Sequence, residues 1–109
     1  VSHLPHLLAF ALVNNLANRP NAKQLFDFAA SGFRDFTRIA GSSPEMWRDI
    51  SLANKTALMN ELEAYQSEIS ALQNLLKSED SQGLQAMFEH ASQARLAWQK
   101  ERENSPEKS

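Results

Sequence analysis

From Leu58 onward, the apolar residues Leu58, Leu62, Tyr65, Ile69, Leu72 and Leu76 recur at intervals of four, three, four, three and four. That spacing holds all six on one face of an α-helix and is incompatible with the two-residue period of a strand. Upstream, Met46, Ile50, Ala53 and Ala57 keep the same spacing on a shifted stripe. One long helix is therefore expected from the Ser43-Pro44 pair to about Lys77, bent or stuttered near Asn54 where the two stripes meet.

The rest of the chain offers few alternatives to helix. Its three glycines are Gly32, Gly41 and Gly83, and no segment alternates apolar and polar residues for the length of a strand. Ser2 is suited to cap a first helix, with Pro5 accommodated in its opening turn and an end near Ala17. Asn18 to Asn21 reads as a turn. A second helix from about Ala22 carries Leu25, Phe26, Ala29 and Phe33, is interrupted at Gly32, and gives way to a short segment ending at Ala40. Gly41 is expected to close that segment in a left-handed conformation, and Ser43 to cap the long helix with Pro44 at its first position. Ser78 to Gly83 reads as a loop, followed by a last helix carrying Leu84, Met87, Phe88, Ala91, Arg95 and Trp98. Residues 101–109 are polar and low in complexity, as in a frayed tail or linker. The predicted fold class is all-α, a helical domain over residues 1–100 with one long central helix.

Charge and composition narrow the function. A formal net charge of −2 and a pI near 5.9 give no cationic field, which argues against nucleic-acid and polybasic membrane binding. The longest apolar run, Leu7 to Val13, is too short to cross a bilayer, and no cationic stretch precedes it as in a signal peptide. Without cysteine there is no disulfide framework and no thiolate nucleophile or metal ligand, which suits a reducing cytoplasm. The sequence starts at Val1, already inside a structured pattern, so it is expected to be part of a longer protein.

No complete catalytic set is present: there is no glycine-rich phosphate loop, no nucleophile elbow and no metal signature. Two polar concentrations remain. His3 and His6 share a helix face with Phe10, at a helix start where N–H groups favour an anion. They either satisfy local polar groups or face a ligand; a metal would need a third ligand, and none stands nearby. In Ser31-Gly32-Phe33-Arg34-Asp35-Phe36-Thr37-Arg38, aromatic residues flank two arginines and an aspartate. On a helix Asp35 reaches Arg38, so the block is either a surface ion pair or a guanidinium held to grip a carboxylate through two hydrogen bonds. Pattern alone makes Trp47 a core residue and gives His90 and Trp98 packing or surface roles.

Three blocks together resemble the C-terminal domain of prephenate and arogenate dehydrogenases. They are Ser2-His3-Leu4-Pro5-His6, Gly32-Phe33-Arg34-Asp35-Phe36-Thr37-Arg38-Ile39-Ala40 and Ser43-Pro44-Glu45-Met46-Trp47-Arg48-Asp49-Ile50, in matching order and spacing. The resemblance implies a domain intertwined with its twin as a homodimer. It implies further a Rossmann-type N-terminal domain, absent from this chain, that binds NAD or NADP and carries the catalytic histidine. The full enzyme would decarboxylate prephenate or arogenate oxidatively on the route to tyrosine, with tyrosine as a feedback inhibitor. The chain alone would hold no cofactor, no metal and no catalytic residue. By the same resemblance Arg38 matches a substrate-carboxylate ligand and His6 a histidine facing the substrate. Asp35 matches an acid that organises the site, and Trp47 a tryptophan reaching it from the partner subunit. Ser31 stands where many relatives have glycine. The competing expectation is a non-catalytic helical homodimerisation module with no ligand site.

Overall fold

A computed structural model describes residues 3–104, and every regular element among them is helical. The elements are α1 (Leu4–Ala17), α2 (Ala22–Asp27), α3 (Ser31–Thr37), a 3₁₀ turn (Arg38–Gly41), α4 (Pro44–Ala53), α5 (Lys55–Lys77) and α6 (Ser81–Glu103). Two compact units divide the chain, one through Tyr65 and the other from Gln66 on. Among the described residues, no helix is long and apolar enough to cross a membrane.

In the first unit α1 is the central element. It is apolar nearly all round, which suits a helix covered on several sides, and α2, α3 and the 3₁₀ turn all pack against it. Its Ala9 is fully buried, the small side chain admitting close neighbours. Pro5 lies in the first turn, where the missing N–H costs nothing. His3 takes the cap position without a side-chain cap bond, and the expected cap Ser2 lies outside the described residues.

The break after α2 falls earlier than the sequence suggests. Phe28 ends α2, Ala30 is extended, and Gly32 lies inside the first turn of α3 instead of interrupting a helix. Gly32 is not used for its conformational freedom, since no glycine among the described residues has positive φ. Gly41 likewise departs from the expected left-handed cap. The 3₁₀ turn closes with Ser42 extended, its N–H and its hydroxyl both donating to the Ile39 carbonyl.

Ser43 and Pro44 open α4 as expected, with the Ser43 hydroxyl accepting from the Met46 N–H at 3.3 Å. The expected discontinuity falls at Asn54, between α4 and α5. Its backbone leaves the helical region, and its side-chain amide joins its own N–H in donating to the Ile50 carbonyl, the amide at 2.8 Å. Its own carbonyl accepts from the Leu58 N–H, which restarts the ladder.

In the second unit the end of α5 is closed by Glu79, the one positive-φ non-glycine residue among those described, at φ 52°. The Asp80 N–H bonds the Leu75 carbonyl and the Glu79 N–H bonds the Leu76 carbonyl, the paired closure of a Schellman motif. Asp80 then caps α6 by accepting from the Gly83 N–H at 2.9 Å. The expected loop is thereby shortened, and Gly83 joins the first turn of α6. A methyl there would stand 2.7 Å from Leu75 Cδ2 and 2.5 Å from an Asp80 carboxylate oxygen, so it would require the Leu75 and Asp80 side chains to shift. α6 continues through Glu103, into the stretch read as a tail; residues 105–109 lie outside the described residues.

Burial is sparse. Among the described residues Ala9, Trp47 and Leu58 are the buried apolar ones, whereas Tyr65, Ile69 and Leu76 of the long seam are exposed.

Candidate functional site

The capped turn at Ser43 and Pro44 brings the first turn of α4 beside the start of α1. Trp47 is buried there, with its ring stacked on His6 at 3.9 Å between centroids and 16° between planes. His3, one turn earlier on the same face, meets the tryptophan edge-on at 5.7 Å. The shared face anticipated for the two histidines is thus occupied by an aromatic ring. Among the described residues no cluster of three His, Cys, Asp or Glu side chains could hold a metal. Ser51 secures the segment by donating its hydroxyl to the Trp47 carbonyl.

Two polar atoms in this stack lack partners among the described residues: His6 Nδ1 and Trp47 Nε1 are both buried without a hydrogen bond. Leaving such a group unpaired costs about 1–3 kcal/mol. Beyond Trp47, Leu7, Phe10, Asn14, Pro44, Arg48 and Ser51 line an open groove of about 280 Å³ between α1 and α4. Arg48 is bound to its neighbour Asp49 at 2.9 Å.

Arg38 lies on the 3₁₀ turn, which packs directly against α1. Its side chain is exposed, as are those of Arg34 and Asp35. The anticipated ion pair between Asp35 and Arg38 does not form, and no side-chain hydrogen bond or ion pair engages either residue among those described. The guanidinium therefore stands uncommitted. Thr37, between them, turns its hydroxyl back onto the Phe33 carbonyl at 2.7 Å.

His6 and Trp47 are thus brought into direct contact, while Arg38 and Asp35 are carried on the neighbouring elements. The resemblance assigns the tryptophan to the partner subunit; here the ring lies against the histidine of its own chain. Residue types alone gave no sign of this stack, because 40 residues separate its members and the contact depends on the turn at Ser42 to Pro44. The groove residues Asn14 and Arg48 were missed for the same reason.

The first unit thus carries the His6–Trp47 stack between α1 and α4 and an exposed, uncommitted Arg38 on the 3₁₀ turn. Residues 1–90 match the family described as "Prephenate dehydrogenase, dimerization domain", and the chain belongs to that family. Prephenate dehydrogenase of Bacillus subtilis is 41% identical over 96 residues, 87% of this chain and 26% of the relative. Cyclohexadienyl dehydrogenase of Zymomonas mobilis is 34% identical over 98 residues, 88% of this chain and 33% of the relative. The crystal structure of Synechocystis arogenate dehydrogenase superposes with a TM-score of 0.81 at 27% identity, covering 89% of this chain and 36% of that one. The chain spans about a quarter to a third of the curated relatives it matches.

Proposed function

We propose that this chain is the C-terminal, dimer-forming part of a prephenate or arogenate dehydrogenase, and that it supplies one wall of the substrate site. The observation that carries the reading is the family match across residues 1–90. The named relatives are dehydrogenases, a class that uses a nicotinamide cofactor, NAD or NADP, which a Rossmann-type domain outside this chain would bind. Prephenate is a dianion, and the uncommitted Arg38 offers a planar fork suited to one of its carboxylates. The stacked His6 and Trp47 would form an aromatic wall of the same site, and Asp35, one turn before Arg38, would orient the guanidinium once substrate is bound. Tyrosine, the end product of such a route, would compete for the same wall. The setting is cytoplasmic, in line with a cysteine-free chain.

The assembly is a homodimer. The matched family model is described as a dimerization domain, and an obligate interface of that kind is large and apolar. The bare α5 residues Tyr65, Ile69 and Leu76 supply its apolar part.

Expression of the whole coding sequence that contains this chain tests the proposal. Prephenate- or arogenate-dependent reduction of NAD or NADP is expected from the whole protein. Its absence with both substrates and both cofactors would overturn the assignment.

A further inference from the structure

Three rings meet where the start of α1 faces α4. Trp47 is buried and stacked parallel on His6, with 3.9 Å between ring centroids. His3 meets the same indole nearly at right angles, at 5.7 Å between centroids and 78° between planes. A buried tryptophan ordinarily has its N–H bonded, and that bond fixes the ring's orientation. Here Trp47 Nε1 is buried without a hydrogen bond, and so is His6 Nδ1. Neither ring of the stack therefore has a polar anchor at those atoms, and ring contacts must set how the two lie.

A parallel stack resists separation of its rings better than it resists sliding. A perpendicular third ring supplies the missing restraint, since an edge-to-face contact is lost when the indole slides or turns. His3 is free to serve in this way. It occupies the cap position of α1 but makes no side-chain cap bond, and the contact that engages it is the Trp47 ring. Its spacing of three from His6 puts both histidines on one helix face, so a single helix holds the indole in two directions.

We infer that His3 is a positioning residue for the substrate wall: perpendicular to Trp47, it keeps the indole aligned on His6. This rests on the proposed function and adds a residue that acts through Trp47 and touches no substrate itself.

The test uses the whole protein and three variants. His3→Ala should raise KM for prephenate or arogenate about two- to tenfold, the range of one aromatic contact, with kcat little changed. His3→Phe keeps a ring without nitrogens and should recover most of the loss. His3→Asn keeps polar atoms without a ring and should not. The Trp47 contribution to near-ultraviolet circular dichroism, isolated as the difference from Trp47→Phe, should weaken in His3→Ala and His3→Asn and persist in His3→Phe. A normal KM in His3→Ala, recovery by Asn instead of Phe, or an unchanged Trp47 band in all three overturns the role of His3 and leaves the proposed function standing. A whole protein inert with both substrates and both cofactors overturns the two together.

Discussion

Glu79 holds a backbone conformation that suits glycine, at φ 52°, to close α5. A side chain with a Cβ pays about 1–2 kcal/mol for the left-handed region. Glu79→Gly should therefore raise stability by about 1 kcal/mol, less the greater freedom glycine has in the unfolded chain. Thermal unfolding monitored by circular dichroism checks this, and an unchanged or lower Tm would refute the strain. Arg38 is the residue on which the proposed chemistry turns. Breaking a bidentate, partly desolvated carboxylate contact costs on the order of 2–4 kcal/mol, roughly thirty- to a thousand-fold in kcat/KM. In the whole enzyme Arg38→Ala is expected to lose that much, mainly through KM, and Arg38→Lys to recover only part because it keeps the charge without the fork. Arg34→Ala, one turn away, should be nearly silent. Loss of substrate affinity in Arg34→Ala with a normal KM in Arg38→Ala would move the site by one turn. Normal kinetics in both would make the block structural.

Among the elements, α4 depends most visibly on its cap. The Ser43 hydroxyl satisfies the Met46 N–H, and its loss in Ser43→Ala should cost about 1 kcal/mol, against a few tenths for Ser43→Gly. Because α4 carries Trp47 onto His6, the same substitution should loosen the stack. Tryptophan fluorescence of Ser43→Ala, with Trp98→Phe as background, would report that change; an unaltered spectrum alongside an unaltered Tm would mean the cap is idle. The α4 cap and the Asn54 discontinuity were legible because Ser-Pro and a shifted apolar stripe are local signals. The Phe28–Ala30 break was not. Gly32 drew attention as the apparent interruption, but the chain leaves the helix earlier and re-enters it through an extended Ala30. The closure at Glu79 was equally hidden, since glutamate carries no sequence mark for a left-handed turn.

For the molecule as a whole, sedimentation equilibrium of the chain at micromolar concentration should give about twice 12.2 kDa. A clean monomer would remove the dimer. The chain by itself should show no prephenate-dependent reduction of NAD or NADP, since the proposed cofactor domain lies outside it. Turnover by rigorously purified chain would place the active site elsewhere.

Periodicity, punctuation and the three sequence blocks determined the all-α class, the seam of α5, the place of Pro5 in the first turn of α1, the cap at Ser43, and the family. Each is encoded within a few residues and survives any arrangement of the helices. Only the tertiary structure decided that Trp47 stacks on the His6 of its own chain, that Asp35 leaves Arg38 unpaired, and that Phe88 to Asn104 stay bare. These depend on how far one helix lies from another, and an apolar stripe reads the same whether its own chain covers it or a second one does.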